Sequence, residues 1–552
     1  MIRDQIIKAL EKATDEKEIH LEFPENEEFG DYSTNVTMQA KGNNPRGAAQ
    51  GIVEKLLKDE KLSEIVEKIE VAGPGFINFY LKKELLVKNL SVVGESYGKS
   101  QVLNGKKYLI EHTSPNTIKT LHIGHVRNNI LGMAMHNILE YAGADVKLDS
   151  INNDRGIHVM KAVWAYMKYG EDKTPNTEKI KPDLFTDKYY LIGSKEYEDT
   201  KVKEEMQELL RRWESGDRQV REVWKKLRDW TFEGFLETYK RLGSHHDKQW
   251  FESDFYEHGK EVVINGLKKG IFKKLPDGAV LTNLKKYGLT DTIVLRSDGT
   301  SMYITQDLYL TTLKRNEFPS DLYIWDIGPE QDLYLRQLFA ICEQLGNGKR
   351  EDYYHLSYGS INVKGSGKMS SRAGNITSAD DLMESVVAKA AKLNKGVAEQ
   401  VGLGAIKYGL LRMDRKTNIN FDIDESVSIE GNSGPYSQYT IARTNSVLAK
   451  SKLKFQKLKP NTDLRSLDAE ELSILRALVK FPETVEQAAQ TYSPNVICNY
   501  LHDLAQKFNT FYNADKIIGS DNEDFRLSLT RATGVVLKNG LKLLGIEAPE
   551  RM

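Results

Sequence analysis

At 552 residues, the chain is long enough for roughly three or four domains, each with a sizeable core. Its 40% hydrophobic and 28% charged residues describe a soluble globular protein, and a formal net charge of −1 provides no global basic field for nucleic acid. Cys342 and Cys498, far apart, exclude a disulfide framework and a cysteine zinc site. The charged amphipathic start lacks a signal-peptide core and no stretch approaches membrane-spanning length, so the expected compartment is the cytoplasm.

Residues 1–97 read as a small α+β unit. A helix over Ile2–Lys12 leads to a strand-like HLEF, the turn-rich PENEEFGDYSTN and a helix over Pro45–Leu57. VEKIEVAGPGFINFYL closes the unit, alternating around a Gly-Pro-Gly turn as a hairpin does. Phe29, Gly30, Asp31 and Tyr32 are either an RNA-contacting loop with an aromatic for stacking or an ordinary structured turn.

Residues 98–385 carry the α/β pattern. Tyr108 to Ile110 is a short apolar strand, and Ile130, Leu131, Met135, Ile138 and Leu139 follow helical spacing. Between them runs EHTSPNTIKTLHIGHVRNN, with Pro115, Asn116, Lys119, His122, Gly124 and His125. Free backbone N–H groups and the positive end of a helix suit an anionic ligand there, and Gly124 lets a ring or phosphate approach the backbone. Taken alone, His122 and His125, three apart on one face, also read as metal ligands, though no cysteine or suitably placed carboxylate joins them, or more readily as core histidines.

VKLDSIN is a second strand, and Asn153, Asp154, Arg155 and Gly156 form a polar turn suited to a ligand-facing rim. From about 171 to 288 the charged patterns of YEDTKVKEEMQELLRRWESGD and REVWKKLRDWTFEGFLETYKRLG predict a helical insertion with solvated faces. TIVL then reads as a buried strand, Ser297–Gly299 as a hairpin turn and Tyr303–Leu310 as a helix start. Tyr303 and Asp307 lie four apart on one face, a cleft for a cation. LYIWDIG is a further strand, ending in Pro329, Glu330, Gln331 and Asp332; ligands of open α/β sheets collect at such carboxyl ends. SINVKGSGKMSSRAGNIT places Lys364, Lys368 and Arg372 among small residues, a cationic loop able to close over polyphosphate. Residues 386–552 are almost wholly helical in pattern. The lysine-rich AKSKLKFQKLK reads as a phosphate contact or a solvated linker, and the aromatics at Tyr492 and Phe508–Tyr512 as base contacts or core.

HIGH at His122–His125 and KMSSR at Lys368–Arg372 occur in order and in the expected contexts. Together they resemble the two signatures of the class I aminoacyl-tRNA synthetases, HIGH and KMSKS. EHTSPNTIKTLHIGHVRN, NNDRGIHVMK, DGTSMYITQDL, IGPEQD, KMSSRAGNI, GNSGPYSQYTIAR and the terminal GIEAPERM extend the likeness over nearly the whole chain, to the arginyl-tRNA synthetase family. The resemblance implies a Rossmann-type parallel-sheet catalytic domain at 98–385 with a helical insertion. It adds an α+β tRNA-contacting domain at 1–97 and an all-α anticodon-binding domain at 386–552. The second signature departs from its pattern, because Ser371 stands where a second lysine is usual. Family members commonly lack that lysine, and a lysine just ahead of HIGH, here Lys119, is thought to compensate.

The implied reaction activates L-arginine with ATP, releases pyrophosphate, and passes the arginyl group to the terminal adenosine of tRNA(Arg). The attacking carboxylate is already an anion, so alignment and charge neutralisation suffice, with Mg²⁺ assisting and no zinc. The resemblance assigns catalysis to Lys119, His122, His125 and Lys368, with Arg372 beside them. ATP is held by these together with Gly124, Met369 and Ser370. Arginine is held by Tyr303 and Asp307 at its guanidinium, Gln331 in the wall, and Glu111 and Asn116 at the α-ammonium and carboxylate ends. No metal ligand set is expected, and the family implies a monomer. A nucleotidyltransferase that forms an adenylate without tRNA shares HIGH, but the long helical C-terminal third speaks against it.

Overall fold

The computed structural model describes residues 2–14, 16–24, 26–39, 44–170, 172–364, 378–451 and 467–552. The KMSSR stretch, with Lys368, Met369, Ser370, Ser371 and Arg372, lies outside the described residues, as does most of the lysine-rich run after Lys450.

Five parallel strands organise the catalytic unit: β1 (Lys107–Glu111), β2 (Asp145–Asn152), β3 (Lys248–Phe251), β4 (Leu322–Trp325) and β5 (Tyr353–His355). Their order across the sheet is β5-β4-β1-β2-β3, every pair parallel. The order reverses between β1 and β4, so a crevice opens outside their carboxyl ends, at Glu111 and Asp326. β1 is covered on both faces, with Leu109 and Ile110 buried, which explains its continuous apolar run. Helix α1 (Ile123–Tyr141) leaves the β1 loop and returns to β2. Helices α2 (Ile157–Tyr169), α3 (Pro182–Glu196), α4 (Thr200–Glu214) and α5 (Arg218–Leu242) follow, with a core of their own built on Trp164, Phe185, Met206 and Trp224.

Two expectations are corrected here. The stretch 171–288 is not one insertion, because β3 within it pairs with β2 (Ser150 with Gln249, Ile151 with Trp250). KQWF has one fully buried side chain, Trp250, and two polar residues, so it carries no apolar run to betray an edge strand. TIVL, conversely, is not part of the parallel sheet. Ile293–Leu295 pairs antiparallel with Val280–Leu281 in a separate three-stranded sheet, whose buried Val280 and Val294 mimic a central strand.

Helix α6 (Tyr303–Glu317) leads into β4, and α7 (Asp332–Leu345) leads into β5. Helices α8 (Ala379–Ala390), α9 (Ala398–Leu411), α10 (Gly434–Lys450), α11 (Ala469–Thr491), α12 (Asn495–Ala514) and α13 (Glu523–Leu543) make the helical third, interrupted by one short parallel pairing of Ile361–Val363 with Ile419–Phe421. Cys342 and Cys498 are buried free thiols in α7 and α12. No helix among the described residues is long and apolar enough to cross a membrane.

The first unit has the expected helix, Ile2–Thr14, and hairpin, Val66–Ala72 with Phe76–Leu81, which Tyr32–Thr34 joins as a third strand. HLEF contributes only a bridge from Glu22 to Ser33. Of the two readings left open for the 29–32 loop, the structure favours a structural turn. Asp31 and Tyr32 are each 1% exposed. Tyr32 donates from its hydroxyl to Glu483 of α11 at 2.7 Å, and Asp31 accepts from the Leu81 N–H and pairs with Arg476 at 3.1 Å. Phe29 remains half exposed. These residues tie the N-terminal sheet to the C-terminal helices, and one continuous apolar core runs through both units and α1.

Candidate active site

The loop from β1 to α1 is held in an unusual backbone. Thr113, Ser114 and Ile118 have φ of 71°, 37° and 77°, a region that β-branched residues avoid. The surroundings over-determine it. Thr113 donates its N–H to the Asn128 side chain, Ser114 donates from Oγ to Glu111 at 2.9 Å, and the Thr117 N–H reaches the Asn153 carbonyl at 3.2 Å. Strain retained this way clusters at ligand sites.

The loop ends in a reciprocal cap. The Gly124 N–H donates to His122 Nδ1 and the His122 N–H donates to His125 Nδ1, both at 3.1 Å, and the rings lie 3.8 Å apart. A Cβ on Gly124 would meet the His122 ring at 2.8 Å, so the glycine makes room for the ring as well as for any ligand. Both Nδ1 atoms accept, so each neutral ring carries its proton on Nε2. Burial, then the neighbouring Lys119, push His122 down to about 4, and burial followed by His122 and Lys119 holds His125 well below its ordinary value. The two imidazoles are therefore neutral donors at a helix N-terminus, rather than cations. Lys119 sits beside them, its Nζ 4.7 Å from the centre of the Tyr190 ring in α3.

Across the crevice, Tyr303 stands in the first turn of α6, 72% exposed, and Asp307 is half-buried one turn below it on the same face. Burial lifts Asp307 from its ordinary 3.8 to about 7, and Glu111 and Glu252 add to this. The Tyr334 hydroxyl, which donates to its Oδ2, and Lys314 work against the rise. Tyr303 borders a cavity of about 790 Å³ together with Arg155, Glu252 and Gln306. Asn116 and Gln331 are exposed, one in the strained loop and the other at the short helical turn Pro329–Gln331 after β4.

The sheet therefore gathers Glu111, the His122–His125 turn and Gln331 at the carboxyl ends of β1 and β4, with Tyr303 and Asp307 on the adjoining α6. Glu111 differs from its expected role at a substrate end. It is buried, its Oε1 accepts from Ser114, and its Oε2 pairs with Lys314 at 2.5 Å. The 153–156 turn is also only partly a rim. Asp154 is buried and accepts from Ser253 N at 2.8 Å and Oγ at 2.6 Å, fixing the turn after β3, while Arg155 pairs with Glu214 at 2.6 Å and reaches Glu252 at 3.7 Å. Glu252 was not legible in sequence. It follows β3 directly, so only recognition of KQWF as a sheet strand would have placed it at the crevice. Lys314 was missed too; its one signal is a lysine on the Tyr303–Asp307 face.

A five-stranded doubly wound sheet, with HIGH at its switch point and a helical C-terminal third, is the arrangement of a class I aminoacyl-tRNA synthetase. Comparison with known proteins agrees. Residues 86–423 match the model of the class I (R) tRNA synthetase catalytic domain. Residues 437–552 match the DALR anticodon binding domain, and residues 1–81 the arginyl tRNA synthetase N terminal domain. The protein named arginine–tRNA ligase from Treponema denticola is 37% identical over 97% of this chain and 95% of its own length. One of the same name from Flavobacterium psychrophilum is 37% identical over 88% and 86%. Among solved structures, the Thermus thermophilus arginyl-tRNA synthetase superposes with a TM-score of 0.84 at 24% identity, covering both chains fully. The chain belongs to the arginyl-tRNA synthetase family.

Proposed function

We propose that the chain activates L-arginine with ATP and transfers it to the terminal adenosine of tRNA(Arg). The observation that carries this reading is Asp307, a half-buried carboxylate whose pKa burial raises, one helical turn from the exposed Tyr303 that borders a cavity with Glu252 at the crevice of a synthetase fold. A planar guanidinium with five donors is the cation best matched by such a carboxylate, and a partner that cannot fill the fork leaves a buried charge unpaired. Tyr303 packs over the fork, and Glu252 supplies a second carboxylate from across the cavity. Asn116 holds the backbone end of the amino acid, Gln331 stands in the pocket wall, and Glu111 acts from beneath the pocket.

At the nucleotide end, adenine lies against Gly124, and His122 and His125 donate from Nε2 to phosphate oxygens. Neutral donors there stabilise charge as it develops, without an ion that must be desolvated. Lys119 supplies positive charge beside them, and Lys368, Met369 and Ser370 close the nucleotide side from the second signature. The arginine carboxylate attacks the α-phosphorus, the bond to the bridging oxygen breaks, and pyrophosphate leaves; no residue need take a proton in this step. Among the described residues, the acidic group close enough to share a metal is Asp468, Glu470 and Asp515 in the helical third, where Arg526 pairs with Asp468 and Asp515. Magnesium is assigned to the reaction as a companion of ATP, assisting charge neutralisation on the phosphates. tRNA docks on the 1–97 and 386–552 units, and the protein acts as a cytoplasmic monomer.

Charging of a total tRNA pool with each amino acid tests the reading. Esterification of arginine to one tRNA fraction is expected; charging of a different amino acid overturns it.

A further inference from the structure

Beneath the proposed arginine pocket lies a buried ammonium. Lys314 is 1% exposed, and its Nζ lies 2.5 Å from Glu111 Oε2 and 2.8 Å from Asp149 Oδ2. The two carboxylates are register partners, Glu111 ending β1 and Asp149 within β2. Trp250 of β3 donates from Nε1 to the same Asp149 oxygen at 2.8 Å, and the Trp325 ring of β4 lies 5.3 Å from the ammonium. Four strands thus build a box for one amine, satisfied by two carboxylates and an aromatic face.

The box shares helix α6 with the proposed pocket. Tyr303, Asp307 and Lys314 fall at i, i+4 and i+11 of α6, on one face. Lys314 lies about 10 Å along the axis from Asp307, and helical side chains lean toward the N-terminus, so its stem runs back toward Asp307. Glu111 and Lys314 both act on the Asp307 carboxyl, in opposite senses. Without the ammonium, three acids would converge at the foot of the pocket. Such a site favours a compact cation with three free donors over a planar fork, and Lys314 itself demonstrates that an alkylammonium fits Glu111 and Asp149.

We propose that Lys314 is a specificity-determining positioning residue: the chain's own ammonium fills the amine subsite at the pocket floor and leaves Asp307 and Tyr303 as the open partners for a guanidinium. Lysine is then refused because its subsite is occupied, beyond any mismatch at Asp307. This inference rests on the arginine-pocket reading above.

The test uses the full-length protein with tRNA present, following amino-acid-dependent ATP–pyrophosphate exchange for Lys314→Ala, Lys314→Gln and Asp307→Asn. Lys314→Gln removes the charge but keeps an N–H donor on a flexible stem, so it carries the test should the alanine variant fail to fold by circular dichroism. Either Lys314 variant is expected to raise the arginine KM and to lower the arginine-over-lysine ratio of kcat/KM about tenfold or more, with the KM for ATP unchanged. Lys314→Arg, which keeps the charge in the box, should retain discrimination. Methylammonium or propylammonium should restore arginine use by Lys314→Ala saturably and leave the unsubstituted protein unaffected. An unchanged arginine-over-lysine ratio, or an equal loss for ATP and arginine, overturns the plug, as does absence of alkylammonium rescue. Asp307→Asn separates the two claims. If it leaves the arginine KM unaltered, the pocket reading falls and the plug with it; if it raises that KM while the Lys314 variants keep their selectivity, only the plug falls.

Discussion

The two ends of the crevice handle charge in opposite ways. At the proposed nucleotide end, His122 and His125 are neutral rings whose Nδ1 atoms are consumed by the backbone, which leaves the proton of each on Nε2. At the proposed amino-acid end, Glu111, Asp149 and Glu252 are buried acids and Asp307 a half-buried one, balanced from within by Lys314. The contrast follows from the ligands. Polyphosphate arrives with its own cation and needs alignment, which neutral, pre-oriented donors supply cheaply in desolvation. A guanidinium must be told from an ammonium, and only buried charge with fixed geometry gives that discrimination.

The sharpest way to break the contrast is Asp307→Asn. Arginine kcat/KM should fall by about 10³-fold or more, because a polar partner is lost, while the KM for ATP stays put in steady-state exchange. The same change should stabilise the ligand-free fold. The Asp307 carboxyl is raised from 3.8 to about 7 by burial, so the folded state holds its proton more tightly than the unfolded chain does. The stability that group contributes is fully present below pH 4 and is lost as pH rises to 7. Urea titration at pH 8 should therefore show Asp307→Asn more stable by roughly 1–3 kcal/mol, and the difference should vanish near pH 4.

On the nucleotide side, His122→Ala or His125→Ala should lower kcat of exchange about 10²–10³-fold, the cost of one oriented donor, with arginine KM moving far less. Loss of the reciprocal cap adds about 1 kcal/mol of destabilisation, readable in the urea midpoint.

The pH dependence of the two ends should differ as well. With His122 at about 4 and His125 lowered too, exchange at saturating substrates should be flat through pH 6–8. Arginine KM should rise as pH drops below about 7, approaching tenfold per unit, because the cation needs Asp307 ionised. A step near 6.5 in the saturated rate would place a titrating imidazole at the nucleotide end and undo the comparison.

The smallest expected effect lies outside the crevice. Tyr32→Phe leaves Glu483 without the hydroxyl it accepts from, so stability should fall by about 1–3 kcal/mol. The KM for tRNA should hold within about twofold, the normal range for a residue away from the ligand. A large tRNA effect would restore the RNA-contacting reading of that loop.

How much of this was legible in the sequence depended on range. The β1 loop and α1 could be read because strand, turn and helix are contiguous and His122, Gly124 and His125 act within one turn. Tyr303 and Asp307 share a helical face for the same local reason. β3 escaped because a four-residue edge strand with one buried side chain has no periodicity to detect, and Glu252 was hidden with it. Asp31 and Tyr32 looked like loop residues because their partners, Arg476 and Glu483, lie some 450 positions away. Lys314 escaped the sequence reading, since only the sheet brings Glu111 and Asp149 to it.

The measurement that bears most directly on the central claim is ATP–pyrophosphate exchange across the amino acids, with and without total tRNA, for the unsubstituted protein and Asp307→Asn. The account predicts exchange with arginine alone, strongest with tRNA, and its loss in Asp307→Asn. Exchange driven by another amino acid, or arginine exchange that survives Asp307→Asn unchanged, would contradict it.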